Sequence, residues 1–145
     1  MAYRLENIIF KYMDLWLNSS RMSKAEGIKN VGLILCVCTG KCTGFKDLDF
    51  WDFVNIIRTT YPVNYALIHP MLCDEDGERF FREHLKTSRK YLIAGCAPIM
   101  QKKLFKDAFK EAGLDVEKDL IPLDVRNMTT DKALEVVKKA LEGMT

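Results

Sequence analysis

The sequence has 145 residues, of which 48% are hydrophobic and 29% are charged. This composition is that of one globular domain with a sizeable core, and it excludes a disordered chain. The formal net charge of +2 is too small to indicate a nucleic-acid partner, which requires clustered Lys and Arg side chains.

The first predicted element is an amphipathic helix over residues 3–18. Its apolar residues recur at spacings of three and four along the chain; they are Leu5, Ile8, Ile9, Tyr12, Leu15 and Trp16. Arg4 and Lys11 interrupt this apolar pattern, whereas a membrane span needs about 20 mostly apolar residues. We therefore expect neither a membrane span nor a secretory signal, and hence a cytoplasmic protein.

A polar connection follows this helix at residues 18–30, which are rich in Ser, Asn, Lys and Gly. It divides the chain into a helix-and-linker segment, residues 1–30, and a main domain, residues 31–145. The helix has two interpretations. It packs over the main domain, or it anchors the chain to a partner protein through Tyr12 and Trp16.

Strand-like and helix-like segments alternate four times in the main domain. Short apolar runs predict strands at residues 31–38, 63–73, 91–98 and 120–125. Apolar residues at helical spacing predict helices at residues 47–61, 75–89, 99–114 and 129–144. Pro98 suits a first helical turn, Gly113 a C-terminal cap, and Thr129 or Thr130 an N-cap. The alternation predicts a three-layer α/β fold, in which helices cover both faces of a mostly parallel four-stranded sheet, plus the extra N-terminal helix.

The five cysteines of the chain fall at the exits of the predicted strands; they are Cys36, Cys38, Cys42, Cys73 and Cys96. Because the carboxyl ends of parallel strands meet at one edge of a sheet, we expect these thiols to converge there. An odd number of cysteines in a reducing compartment favours metal or redox ligands over a disulfide framework.

The spacing of these cysteines favours an iron–sulfur cluster over other thiol sites. No C-x-x-C motif is present, so neither a thioredoxin-type dithiol nor a common zinc ribbon is supported. A [4Fe–4S] cluster takes four thiolates, and five candidates are available. Gly40 and Gly95 would let the backbone approach an inorganic core closely and donate N–H bonds to its sulfides. We predict ligands among Cys36, Cys38, Cys73 and Cys96, with Cys42 in reserve.

Two other interpretations of the thiols remain open. Cys73 and Cys96 each precede a predicted helix, whose unpaired N–H groups favour a thiolate. Such a thiolate could attack a disulfide or carry a persulfide, without any cluster. Alternatively the cysteines only pack in a core, and the chain is a non-catalytic interaction module. We interpret His69 as a half-buried structural residue.

Four segments of the main domain resemble, in order, the N-terminal iron–sulfur domain of the heterodisulfide reductase A-subunit family; they read CVCTG, MLCDEDG, LIAGCAPIMQKKLFKDAFKEAGLD and DVRN. The C-x-C-G motif of that family matches Cys36 and Cys38. Its middle cysteine matches Cys73, and its C-A-P motif begins at Cys96. The resemblance covers residues 31–141 and implies an iron–sulfur cluster, which we expect to be [4Fe–4S].

The chain also departs from this family pattern. Thr39 stands where the family has a glycine directly after the second cysteine, and Ile99 stands where it has an arginine. No G-x-G-x-x-G motif follows a strand, so we expect a stand-alone chain without the flavin domain of the full-length family members. The resemblance implies an electron-transfer accessory to an oxidoreductase rather than an independent catalyst. Its implied partners are a flavoprotein or another iron–sulfur protein; the oligomeric state is left open.

Overall fold

The computed structural model of the protein describes residues 30–144. The predicted helix over residues 3–18, and all but the last residue of the connection after it, lie outside the described residues. Within the described range the chain forms a four-stranded sheet in which every neighbouring pair is parallel and the order is β2-β1-β3-β4. The strands are β1 (Val31–Cys36), β2 (Tyr65–His69), β3 (Lys90–Gly95) and β4 (Leu120–Asp124).

Helices follow each of these strands. They are α1 (Phe50–Thr60), α2 (Glu75–His84), α3 (Pro98–Glu111), α4 (Val116–Asp119) and α5 (Thr130–Glu142). Two short 3₁₀ turns, Cys38–Gly40 and Thr43–Phe45, lie between β1 and α1. The predicted alternation of strands and helices is confirmed, and α4 is an addition that is too short to leave a periodic pattern.

Two apolar cores lie on opposite faces of the sheet, and β1 contributes to both. Leu33 and Leu35 pack with residues of α1 and α5, which we call the first core. Ile34 points the other way and packs with residues of α2 and α3, the second core. All three side chains are fully buried. The structure therefore confirms the three-layer α/β fold, and it explains why the strand is a continuous apolar run.

The helix boundaries follow local chemistry, with one exception. Pro98 lies in the first turn of α3, Gly113 has a left-handed φ of 77° after its end, and Thr129 is the N-cap of α5. By contrast, α2 ends at His84 rather than at the predicted residue 89. The hydroxyl of the buried Tyr91 accepts from the N–H of Lys86 (2.7 Å) and donates to the carbonyl of His84 (3.0 Å). These bonds satisfy backbone groups that another helical turn would otherwise use.

Candidate functional site

The carboxyl ends of the parallel strands form one edge of the sheet, which we call the thiol edge. At this edge Cys36 lies opposite His69 of β2, and Gly95 lies opposite Asp124 of β4. A Cβ at Gly95 would lie 3.3 Å from the Cβ of Cys36, a distance that few real contacts reach. Glycine therefore allows β3 to approach β1 closely where the two loops begin.

Three of the predicted ligands lie beyond the ends of their strands. β1 ends at Cys36, β2 at His69 and β3 at Gly95. Cys38, Cys73 and Cys96 therefore belong to the loops that lead into the next helices, where the backbone can turn their side chains toward one another. All five cysteines of the chain have free thiols.

The thiol of Cys36 is enclosed by backbone N–H groups at the thiol edge. Its Sγ accepts a hydrogen bond from the N–H of Leu72 (3.5 Å) and another from the N–H of Cys38. Burial raises the pKa of Cys36 above the ordinary cysteine value, these two bonds lower it in part, and the thiols of Cys73 and Cys38 raise it further. Such N–H bonds to sulfur are also how proteins tune metal-bound thiolates.

Cys96 behaves differently from what its position before α3 predicts. Burial raises the pKa of its thiol, the thiols of Cys36 and Cys73 raise it further, and the guanidinium of Arg126 lowers it in part. The expectation that a helix N-terminus would favour a thiolate at Cys96 is therefore wrong, because desolvation outweighs the favourable charges.

The loop after β1 has an unusual backbone. Cys38, Thr39 and Gly40 all have positive φ, at 50°, 61° and 74°. The N–H of Thr39 donates to the carbonyl of Pro70 at 2.7 Å, and this bond holds the loop against the end of β2. Left-handed conformations are costly for residues with a Cβ, and they are concentrated at functional sites.

Cys73 is exposed at the end of a groove between α2 and α3. The groove has a volume of about 320 Å³, and Phe81, Phe105 and Ala108 lie along it. Gly77 brings α2 close to the preceding segment, since a Cβ at this position would overlap the backbone of Leu72. The close approach of this glycine therefore sets the position of Cys73.

Cys42 stands apart from the other thiols. It packs against the first core, whereas Cys36 packs against the second core on the opposite face of the sheet. A Cβ at Gly44 would lie 3.5 Å from the Sγ of Cys42 and 3.2 Å from the Cβ of Arg126. The fifth cysteine is thus close to the loop after β4, and Arg126 is the charged group that interacts with its thiol.

The structure brings the thiols of Cys36, Cys73 and Cys96 close enough for their charges to interact, and Cys38 interacts with Cys36. Within residues 30–144, no group of three or more His, Cys, Asp or Glu side chains is arranged to hold a single metal ion. A cluster places a different iron at each thiolate, so its ligands surround a larger volume than those of one ion. The donor set of thiolates with N–H bonds to sulfur fits an iron–sulfur cluster chemically.

Two residues near the thiol edge carry no recognised sequence signal for a site. Gln101 is almost completely buried, and its Nε2 donates to the carbonyls of Cys96 (2.8 Å) and Leu123 (3.2 Å). It therefore ties the turn after β3 to β4. Arg126 lies in the DVRN segment that carries part of the resemblance, but only the structure relates its charge to Cys96 and Cys42.

His69 has the contacts of a neutral structural histidine. Its Nδ1 accepts from the N–H of Met71 (3.1 Å), so the ring proton is on Nε2, which lies 3.9 Å from an oxygen of Asp76. The ring packs at 5.2 Å from that of Phe80. Burial lowers the pKa of His69, and Asp76 raises it only in part.

No model of a known protein family matches the chain. The chain is similar to the iron–sulfur A-type polypeptide of CoB–CoM heterodisulfide reductase from Methanocaldococcus jannaschii, with 26% identity over 125 residues that cover 77% of this chain and 19% of the relative. It is also similar to the corresponding polypeptide of the reductase from Methanopyrus kandleri, with 22% identity over 124 residues, 77% of this chain and 18% of the relative. Both relatives are iron–sulfur subunits. The similarity is distant, and the chain spans less than one fifth of the length of either relative.

The described helices were also compared with the requirements of a membrane span. None of them, between residues 30 and 144, is both long enough and apolar enough to cross a bilayer.

Proposed function

We propose that the chain is an iron–sulfur electron-transfer domain or subunit of a heterodisulfide-reductase-like redox assembly. The observation that carries the proposal is the mutual electrostatic influence of the thiols of Cys36, Cys73 and Cys96, which follow three different strands. Thiolates gathered in this way are the ligands that iron–sulfur clusters use. The distant relatives, which are iron–sulfur subunits by name, support the same chemistry.

The proposed ligands are Cys36, Cys38, Cys73 and Cys96. We leave Cys42 out of the set because it packs against the first core, on the other face of the sheet from Cys36. A bound [4Fe–4S] cluster would supply a centre that accepts and releases one electron. The residues of the chain would hold it, exclude water from one side, and donate N–H bonds to the ligand sulfurs.

The raised pKa values of Cys36 and Cys96 favour ligation over thiol nucleophilicity. A nucleophilic cysteine needs a thiolate in the free protein, and burial disfavours that form at both positions. Metal binding itself displaces the thiol proton, so a raised pKa is compatible with a ligand. The free thiols fit a reducing compartment, and we propose the cytoplasm as the site of action.

The partner surface that we propose lies beside Cys96 on α3. Ile99, Met100 and Leu104 are 81%, 47% and 45% exposed, which is unusual for large apolar side chains in the described part of the chain. The exposed Lys103 lies among them on the same helix. A redox partner with an apolar surface and flanking carboxylates would fit here, within a short distance of the thiol edge.

The proposal is tested by purifying the protein without oxygen and reconstituting it with iron and sulfide. We expect a brown protein with about four irons and about four sulfides per chain, together with the broad visible absorption of thiolate-bound iron. Elemental analysis separates this result from a zinc site. Protein that retains neither iron nor sulfide after this treatment would overturn the proposal.

Single serine variants identify the ligands. We expect Cys36→Ser, Cys73→Ser and Cys96→Ser each to lower the iron content strongly, since each removes a thiolate from a different loop. Cys42→Ser is the matched control, because it makes the same chemical change outside the proposed set and should keep the iron content of the wild type. Equal iron loss in all four variants would contradict the proposed ligand set.

A further inference from the structure

We infer that Arg126 raises the reduction potential of the proposed cluster by holding a fixed positive charge between the loops that follow β1 and β3. This inference rests on the proposed function, since it assigns an electrostatic role to a residue that is not a ligand. Arg126 is therefore a positioning residue for charge rather than a catalytic residue.

The backbone places Arg126 at the thiol edge. Asp124, the last residue of β4, lies opposite Gly95, and the N–H of Val125 donates to the carbonyl of Gly95 at 3.1 Å. Because Cys96 directly follows Gly95, Arg126 follows β4 alongside the loop that carries Cys96.

The loop after β1 meets Arg126 from the other side. A Cβ at Gly44 would lie 3.2 Å from the Cβ and 3.3 Å from the Cγ of Arg126, and the N–H of Asn127 donates to the carbonyl of Gly44 at 2.6 Å. Glycine at position 44 therefore leaves the room that the arginine stem occupies.

A carboxylate fixes the guanidinium in this position. The Nε of Arg126 donates to Oδ1 of Asp124 at 3.0 Å, and Nη2 donates to Oδ2 at 2.8 Å. The backbone N–H of Arg126 also donates to Oδ1, at 3.1 Å. Two parallel charge-assisted bonds hold a long side chain in one orientation, which an isolated surface arginine lacks.

The positive charge of Arg126 acts on Cys96, since the guanidinium lowers the pKa of that thiol against the effect of burial. A cluster that gains one electron gains one negative charge, so a nearby cation stabilises the reduced form and raises the potential. The carboxylate of Asp124 has the opposite sign and opposes this effect. The pair therefore predicts potential shifts of opposite direction when either member is neutralised.

The test is a redox titration of the reconstituted protein, followed by electron paramagnetic resonance of the reduced cluster. We expect a midpoint potential below that of the wild type for Arg126→Met, above it for Asp124→Asn, and near it for Arg126→Lys. Arg58→Met is the matched control. Arg58 lies in the last turn of α1, toward the opposite edge of the sheet, and its neutralisation should leave the potential unchanged.

Iron content is measured for every variant, so that binding and potential are separated. A fully loaded Arg126→Met protein with the wild-type potential would overturn the inference. If that variant takes up no iron, Asp124→Asn decides, and a potential at or below that of the wild type overturns the inference. A wild-type protein that binds no iron removes the proposed function itself, a result distinct from any change in potential.

Discussion

Thr39 has a left-handed backbone, with a φ of 61°, that costs a β-branched residue about 1–2 kcal/mol. The family that the chain resembles has glycine at this position. Glycine adopts the left-handed conformation without steric cost, although it loses more conformational entropy on folding. The departure at Thr39 is therefore a change of residue at a position where the backbone conformation suits glycine.

We predict that Thr39→Gly stabilises the fold by about 0.5–1 kcal/mol, because relief of the strain exceeds the entropy cost of glycine. Thr59→Gly in α1 is the matched control, and it should destabilise by about 0.5 kcal/mol or more, since Thr59 is helical and its hydroxyl donates to the carbonyl of Asn55. Urea unfolding measures both changes. A Thr39→Gly protein less stable than the wild type would show that the loop is unstrained.

His69 predicts a dependence of stability on pH. Burial lowers its pKa in the folded protein, so the unfolded chain takes up a proton more readily. The contribution of the neutral ring is fully present above the unfolded pKa of about 6.5 and is lost as the pH falls toward the lower folded value. Below about pH 6.5, the slope from this one group is at most about 1.4 kcal/mol per pH unit.

We expect His69→Asn to reduce this slope, because the asparagine oxygen can accept the N–H of Met71 in place of Nδ1 and does not titrate. Unfolding free energies of the two proteins are compared between about pH 5 and 7.5. The difference between them isolates His69 from the carboxylates, which titrate in both proteins. Identical slopes would contradict a buried neutral histidine.

At the scale of single elements, α2 depends on a glycine that helix propensity alone would disfavour. Replacing a helical glycine by alanine ordinarily stabilises by about 1 kcal/mol. At Gly77, however, a Cβ would overlap the backbone of Leu72. The helix can therefore approach the segment that carries Cys73 only because this position lacks a side chain.

We predict that Gly77→Ala destabilises the protein by about 1–3 kcal/mol, the usual cost of overpacking. Gly143→Ala is the control: its φ of −68° is helical, a Cβ there makes ordinary contacts of 3.5 and 3.6 Å, and it should stabilise by about 0.4–1 kcal/mol. Thermal unfolding compares the two. Stabilisation by both substitutions would show that α2 can move away from Leu72 without cost.

At the scale of the whole molecule, the two cores share one sheet. Leu33 and Ile34 are adjacent in β1, yet one packs in the first core and the other in the second. Removing buried methylene groups from either side of the same strand should weaken the same cooperative unit.

We therefore expect Leu33→Ala and Ile34→Ala each to destabilise the protein by about 2–5 kcal/mol, with an unchanged dependence on denaturant concentration. Secondary structure by far-UV circular dichroism and tertiary packing by near-UV circular dichroism are followed in parallel. Two separated transitions in either variant would indicate that the cores unfold independently.

The candidate site could be predicted only in part from the sequence. The positions of Cys36 and Cys96 at strand exits follow from apolar runs that end beside them. The raised pKa of Cys96 does not follow, because it depends on burial by residues distant in the chain. Gln101 shows the same limit: a single polar residue in a helix gives no pattern, and its role arises from two carbonyls on other elements.

The sequence by itself determined the order and type of the main-domain elements, since apolar periodicity and capping residues act over a few neighbouring positions. It also determined that the thiols would lie at strand exits. Only the tertiary structure decided the strand order β2-β1-β3-β4, the position of Cys42 against the first core, and the relation of Arg126 to Cys96. Those features depend on which distant segments pack together, and that choice comes from the free energy of the whole core rather than from local pattern.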